Sequence, residues 1–121
     1  MKKVLIVEDD YDIGEIAEMT LSTKYDVLVL QDSVHLKEAL EEFRPNVILI
    51  DNYIGKKNAK EIISDLSSAG ISLAIPLILF SAHHAIATIA EEIGAAGFIP
   101  KPFDLDELHQ CVQQILVKHE S

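Results

Sequence analysis

The feature that most limits the fold of this chain is a regular alternation of short apolar runs with amphipathic segments. The runs are rich in Val, Ile and Leu, and most of them do not alternate with polar residues. Such runs are typical of strands that are buried on both faces of a parallel sheet. The predicted strands are 3–7, 26–30, 47–50, 76–80 and 97–99.

The segments between these runs carry apolar residues at helical spacing. The predicted core positions of the five helices are, in order, Ile13, Ile16, Ala17, Thr20 and Leu21; Leu36, Ala39, Leu40 and Phe43; Ala59, Ile62, Ile63 and Leu66; Ile86, Ile89, Ala90 and Ile93; Leu105, Leu108, Val112, Ile115 and Leu116. We expect Ser33 and Asp104 to cap the second and fifth helices, and Pro45, Gly70 and Gly94 to mark the ends of the second, third and fourth.

Strict alternation of strands and helices predicts an α/β fold, with an open parallel sheet between two layers of helices. Right-handed crossovers leave few topologies, and we expect the flavodoxin-like (βα)5 order 2-1-3-4-5. The 121 residues are the length of one domain. Residues 1–121 are therefore expected to form a single domain, which is either a whole protein or part of a longer chain.

The composition argues against several functions. Asp and Glu number 20 against 10 Lys and Arg, so direct binding to nucleic acid, which needs basic residues, is not expected. The longest apolar run, 71–80, is broken by Ser72 and Pro76 and is shorter than the roughly 18 residues that span a membrane. There is no signal-peptide pattern, and the single Cys111 cannot form an internal disulfide. We therefore expect a cytoplasmic protein that is not attached to a membrane.

Acidic and basic residues follow the predicted strands. The first strand is followed by Glu-Asp-Asp at 8–10, the third by Asp51, the fourth by Ser81 and the fifth by Lys101. In a sheet of this order, the carboxyl ends of these strands form the functional edge. Carboxylate ligands suit Mg²⁺ or Mn²⁺, and a lysine suits a phosphoryl oxygen. The set predicts a phosphoryl group carried on Asp51.

Each of these residues also has an ordinary structural interpretation. An acid after a strand often caps the next helix, and we expect Asp10 or Asp12 to do so. The apolar positions from Ile13 onward face the core only if the first helix begins near residue 10 or 11, which leaves Glu8 and Asp9 at the end of the strand. Four independent coincidences at one edge of one sheet are less probable than a functional site.

Four motifs resemble the receiver domains of two-component response regulators. They are Val-Leu-Ile-Val-Glu8-Asp9-Asp10, Val-Ile-Leu-Ile-Asp51, Leu-Phe-Ser81-Ala82 and Gly97-Phe98-Ile99-Pro100-Lys101-Pro102-Phe103. The resemblance covers essentially the whole chain, and the four motifs in this order are specific.

The resemblance implies a role for each matching residue. Asp51 would accept a phosphoryl group from a histidine kinase or a histidine phosphotransfer protein. Asp9 and Asp51 would bind Mg²⁺ directly, with the Tyr53 carbonyl as a third ligand and Glu8 acting through water. Lys101 would pair first with Asp51 and then with the phosphoryl group. The chain would be a signalling switch that catalyses only its own phosphoryl transfer and autodephosphorylation.

The resemblance also implies a conformational switch. Ser81 would turn toward the phosphoryl group, the backbone N–H of Ala82 would reach another of its oxygens, and Phe98 would move inward. The surface around the fourth helix, fifth strand and fifth helix would change. The Lys101–Pro102 peptide is expected to be cis, because Lys101 must turn back toward Asp51.

The chain departs from the family pattern in two places. Gly55 and Ala59 stand where the family often has Pro and Gly after the acceptor. The charges that many DNA-binding members use to dimerise are replaced by Ala96, Gly97 and Cys111. We therefore expect a monomer when the chain is unphosphorylated.

Three other functions compete with this interpretation. A flavodoxin or nucleotide-binding protein would need a Gly-rich loop after the first strand, where this chain has acids. A phosphatase or mutase with an Asp nucleophile would need a second acid two residues later, where this chain has Tyr53. A degenerate receiver would lack one of the acids or Lys101.

Overall fold

Five parallel strands form the central sheet in the computed structural model of the chain, which describes residues 1–71 and 73–119. These strands are β1 (Lys3–Val7), β2 (Asp26–Leu30), β3 (Val47–Asp51), β6 (Leu77–Ser81) and β7 (Gly97–Pro100). A separate antiparallel hairpin consists of β4 (Tyr53–Ile54) and β5 (Lys57–Asn58). The helices are α1 (Tyr11–Leu21), α2 (Leu36–Phe43), α3 (Ala59–Ser68), α4 (Ile86–Ile93) and α5 (Leu105–Lys118).

The strand order is β2-β1-β3-β6-β7, which confirms the predicted flavodoxin-like topology. The first two strands have the predicted bounds, and the other three extend one residue further at their carboxyl ends. Asp51 and Ser81 are therefore the last residues of β3 and β6 and pair in register with Phe80 and Pro100 of their neighbours. The sheet itself thus holds two of the candidate site residues.

Helices cover both faces of the sheet, which confirms the three-layer arrangement. α1 and α5 pack with one face, and α2, α3 and α4 pack with the other. Every residue from Val4 to Val7 is fully buried. Double-sided burial is the physical reason that the strands read as continuous apolar runs.

Two predicted core residues are exposed. Ile16 of α1 is 48% exposed, and Leu105, the first residue of α5, is 51% exposed. The buried face of α1 runs through Gly14, Ala17 and Leu21. A Cβ atom at Gly14 would lie 3.3 Å from Val29 Cγ1, so the helix meets the sheet at a glycine that an apolar pattern does not reveal. Ile16 is consequently turned toward solvent.

The predicted helix caps are only partly correct. Asp10 caps α1, as expected, but Ser33 does not cap α2, because that helix begins after His35 without a side-chain cap. Asp104 precedes α5 but its side chain makes no capping hydrogen bond. Asn58, which the sequence interpretation missed, caps α3 in a reciprocal arrangement with Glu61. The predicted positions beyond helix ends are confirmed for Pro45, Gly70 and Gly94.

Among the described residues, no helix combines the length and the apolarity needed to cross a membrane. Ser72, where the longest apolar run is broken, and the last two residues of the predicted 1–121 domain lie outside the described residues.

Candidate functional site

A lysine from one strand end lies between carboxylates from two others. Lys101 follows β7, and its Nζ atom lies 2.6 Å from Glu8 Oε1 and 2.9 Å from Asp51 Oδ2. The Glu8 side chain has no exposed surface, and the side chains of Lys101 and Asp51 are 13% and 15% exposed. The expected convergence of these three residues is therefore observed.

The buried ring of Phe80 supports Lys101 from below. The Nζ atom lies 4.8 Å from the centroid of this ring, and Phe103 packs edge-on against the ring at 6.4 Å. An ammonium group over an aromatic face is attracted by the negative charge density of the ring. The peptide bond between Lys101 and Pro102 is cis, which is the isomer predicted from the sequence.

Three carboxylates lie close together at this site with Lys101 beside them, so their negative charges are only partly balanced. Burial and the neighbouring Asp51 carboxyl raise the pKa of Glu8 to about 7, and Lys101 opposes this shift only in part. For Lys101, burial lowers the pKa, but the hydrogen bonds to Glu8 and Asp51 outweigh it, so that its pKa is raised. Lys101 is thus held as a cation, while Glu8 changes charge near neutral pH.

Carboxylate oxygens of Glu8, Asp9 and Asp51 lie within 4.8 Å of one another. Hard oxygen ligands of this kind fit Mg²⁺ or Mn²⁺, and a divalent ion would relieve the repulsion that raises the pKa of Glu8. Asp10 is removed from this group because its side chain accepts the N–H groups of Asp12 and Ile13 at the start of α1. The predicted capping role of Asp10 is confirmed, and Glu8 and Asp9 lie at the end of β1 as expected.

The hairpin after β3 brings backbone groups to the acids. The N–H of Tyr53 lies 3.3 Å from Asp51 Oδ1, and the N–H of Gly55 donates a 3.0 Å hydrogen bond to Asp9 Oδ2. The sequence interpretation left the shape of this loop open and missed the contact between Gly55 and Asp9. A glycine directly before two lysines was the only sequence signal for the turn.

The two residues of the predicted switch lie on adjacent strands. Ser81 is buried at the end of β6, and its Oγ atom accepts a 3.1 Å hydrogen bond from the N–H of His83. The Nδ1 atom of His83 in turn accepts the N–H of Ala85, so His83 stabilises the loop before α4, a role the sequence did not indicate. Phe98 on β7 is 42% exposed, which leaves its ring directed away from the core.

Comparisons with known proteins show what this chain is similar to. A sequence model of the response regulator receiver domain matches residues 4–113. The transcriptional regulatory protein CrdR of Helicobacter pylori is 29% identical over 116 residues, which are 93% of this chain and 54% of that protein. This chain thus spans about half the length of the curated relatives that it matches.

Solved structures lead to the same comparison. The N-terminal domain of the nisin resistance regulator NsrR is 30% identical, with a TM-score of 0.84 over 96% of this chain and 98% of that one. A CheY-like receiver domain from Methanospirillum hungatei, at 19% identity, has the same fold with a TM-score of 0.84 over 98% of this chain and 95% of that one.

Proposed function

Because this chain belongs to the response regulator receiver domain family, the phosphorylation-dependent signalling modules of two-component systems, we propose that Asp51 is its phosphoacceptor. The observation that carries the proposal is the position of Asp51, whose Oδ2 atom bonds Lys101 and whose carboxylate also belongs to the acidic cluster. The flavodoxin and phosphatase alternatives have no comparable support.

The phosphodonor is a phosphohistidine on a histidine kinase or a histidine phosphotransfer protein. One carboxylate oxygen of Asp51 forms the new bond to phosphorus as the bond between phosphorus and the histidine nitrogen breaks. The electron pair of the broken bond stays on that nitrogen, which takes up a proton from solvent. The product is an aspartyl phosphate, so the nucleophile remains part of the chain.

Asp9 and Asp51 would hold the divalent ion directly, with the carbonyl of Tyr53 as a third protein ligand and Glu8 acting through water. The clustering of the three carboxylates supports this assignment. When bound, Mg²⁺ or Mn²⁺ supplies positive charge that offsets the charge of the phosphoryl oxygens. Receiver domains as a class bind Mg²⁺ at an acidic pocket of this kind.

Lys101 offsets the same charge from the opposite side. Its ammonium group already donates a hydrogen bond to Asp51, and its side chain is buried against Phe80. Lys101 can therefore reach the phosphoryl group without a large change in its own position. A positive charge that is already in place where negative charge develops on the transferred phosphoryl group stabilises the transition state, and this is the main electrostatic contribution of such sites.

Ser81, Ala82 and Phe98 convert the modification into a change of shape. Ser81 loses the hydrogen bond that its Oγ atom accepts from the N–H of His83, and its hydroxyl donates instead to a phosphoryl oxygen. The N–H of Ala82 donates to a second phosphoryl oxygen. Phe98 then moves from solvent into the space behind Ser81. One charge-assisted hydrogen bond contributes roughly 1.5–3 kcal/mol. This free energy shifts the equilibrium constant between two conformations of the surface formed by α4, β7 and α5 by about 10- to 150-fold.

The proposal extends to the setting of the domain. Residues 1–121 act as one receiver domain in the cytoplasm, either alone or joined to an output domain like those of the longer relatives. The unphosphorylated chain is a monomer that does not bind nucleic acid directly. Its net charge of −10 opposes self-association and repels the phosphates of a nucleic-acid backbone.

The test is incubation of the chain with Mg²⁺ and acetyl phosphate, followed by intact-mass measurement. We expect one hydroxylamine-labile phosphoryl group per chain, none in Asp51→Asn, and normal labelling in Asp106→Asn, a control at an exposed acid. Full labelling of Asp51→Asn, or labelling that persists in excess EDTA, would contradict the proposal. Continuous release of phosphate with no stable adduct would favour a phosphatase.

A further inference from the structure

The backbone of the β4–β5 hairpin reaches the exposed acid of the cluster. We propose that the N–H of Gly55 holds the carboxylate of Asp9 in position for the divalent ion, which makes Gly55 a positioning residue of the site. The bond joins Gly55 N to Asp9 Oδ2 at 3.0 Å, across 46 positions of sequence. The inference rests on the proposed function, since that function assigns Asp9 to the metal.

Asp9 needs such a partner more than the other two acids do. Glu8 and Asp51 are both fixed by Lys101, whereas no ion pair involves Asp9 within residues 1–71 and 73–119. Asp9 is also exposed, so its side chain would otherwise sample several rotamers. A single amide donor that fixes one oxygen reduces this freedom before the ion arrives.

Gly55 can donate because of its backbone conformation. It is the first of the two residues that connect β4 to β5, and its φ of +63 is the value that a type II′ turn requires there. Open space surrounds the position where a Cβ would lie, so the conformation, and not crowding, explains the glycine. A proline at this position would have neither the φ value nor the N–H.

The hairpin that presents this N–H is anchored at both ends. Ile54, directly before the turn, is 4% exposed and belongs to the core. After the turn, Asn58 starts α3 in its reciprocal cap with Glu61, and the N–H of Ala59 donates to the carbonyl of Asn52 at 2.8 Å. The tip of the hairpin is therefore held at a fixed distance from the sheet edge, and its N–H is preorganised.

The amide leaves Asp9 free to bind a cation. A carboxylate has two oxygens with about four acceptor positions, and the N–H occupies one of them. Removal of hydrogen bonds that orient metal ligands typically lowers metal affinity by about 10- to 100-fold. We expect an effect at the lower end of this range, about tenfold, because the Gly55–Asp9 bond is exposed to solvent.

The first test is amide hydrogen exchange in the metal-free protein, measured by NMR. The Gly55 amide should be protected in the wild type, and Asp9→Ala should accelerate its exchange about tenfold. The matched control is the amide of Gly70, which donates to the Ser67 carbonyl and should exchange equally in both proteins. Equal exchange of Gly55 in the two proteins would overturn the proposal.

The second test is Mg²⁺ affinity, measured by calorimetry. Gly55→Pro should weaken binding about tenfold, whereas Gly70→Pro, which also replaces a glycine of positive φ and deletes one amide donor, should bind as the wild type does. Gly55→Asn retains the N–H, and asparagine tolerates a positive φ better than other side chains, so this variant should recover most of the affinity. Binding by Gly55→Pro at wild-type strength, or an equal loss in Gly55→Asn, would overturn the proposal.

The two proposals fail in different ways. If the proposed function is wrong, the wild type itself neither binds Mg²⁺ nor takes up a phosphoryl group. If only the role of Gly55 is wrong, the wild type does both, and the Gly55 variants do not differ from it in affinity. The exchange experiment needs no metal and decides in either case whether the hydrogen bond exists.

Discussion

The Nζ atom of Lys101 lies 2.6 Å from Oε1 of Glu8, a carboxylate without exposed surface that is 93 residues away in sequence. This distance is shorter than the 2.9 Å between the same Nζ and Asp51. Lys101 is therefore anchored by the buried acid and leaves Asp51 the more accessible of its two partners. A lysine held in this way can follow the proposed acceptor, Asp51, when that carboxylate is modified, while its hydrogen bond to Glu8 is kept.

Mg²⁺ binding is expected to release protons from the site at neutral pH. With its pKa raised to about 7 by burial and by Asp51, Glu8 is about half protonated at pH 7, and a nearby cation favours its ionised form. The expected release is therefore up to about half a proton per Mg²⁺. Calorimetric titration in buffers of different ionisation enthalpy measures it. Glu8→Gln should show no release, and the absence of release from the wild type would contradict the raised pKa.

The stability of the metal-free protein is expected to fall as the pH rises from 4.5 to 7. Glu8 binds its proton more tightly in the folded state than at its usual value of 4.5, so the folded state carries more protons in this window. The contribution is fully present below pH 4.5, is lost as the pH rises through about 7, and is at most about 3 kcal/mol.

Urea unfolding in EDTA at pH 5 and pH 8 measures this loss for the wild type and for Glu8→Gln. The variant should lose less stability between the two values, while Glu41→Gln, at an exposed position on α2, should behave like the wild type. Parallel loss in all three proteins would show that overall charge repulsion, and not Glu8, controls the pH dependence.

Lys101→Ala is expected to slow phosphorylation by about 10- to 150-fold, which corresponds to the loss of one charge-assisted hydrogen bond. The rate of adduct formation with acetyl phosphate in saturating Mg²⁺ measures the effect. Lys60→Ala removes an exposed lysine of α3 and is the matched control. A wild-type rate in Lys101→Ala would remove this residue from the mechanism.

Ser81→Ala is expected to accept the phosphoryl group but to lose the response of β7. The variant has no hydroxyl that could leave the N–H of His83 and donate to a phosphoryl oxygen. Without that movement, no space opens for Phe98 to move inward. The amide shifts of residues 97–99 before and after phosphorylation report the response. Ser81→Thr keeps the hydroxyl and should retain it. Equal shifts in Ser81→Ala and the wild type would show that the switch does not depend on Ser81.

Local patterns in the sequence were sufficient for the fold and for the prediction of which charged side chains meet at the edge of the sheet. Continuous apolar runs, in which apolar and polar residues do not alternate, identified all five strands of the sheet, because burial on both faces leaves no place for polar residues. The convergence of Glu8, Asp51 and Lys101 followed from topology alone, since parallel strands end at the same edge. The Asp10 cap of α1 was also predictable, because a cap acts within three residues.

Contacts between distant side chains were decided only by the tertiary structure. The exposure of Ile16 depends on which face of α1 meets the sheet. Gly14 lies on that face, about 200° around the helix from Ile16, and a glycine does not show in the spacing of apolar residues. The bond from Gly55 to Asp9 likewise needs a turn of particular φ at a particular distance from the sheet edge. Periodicity specifies which face of an element is buried, but the side chains and backbone groups that meet across elements depend on packing distances that exist only once the chain is folded.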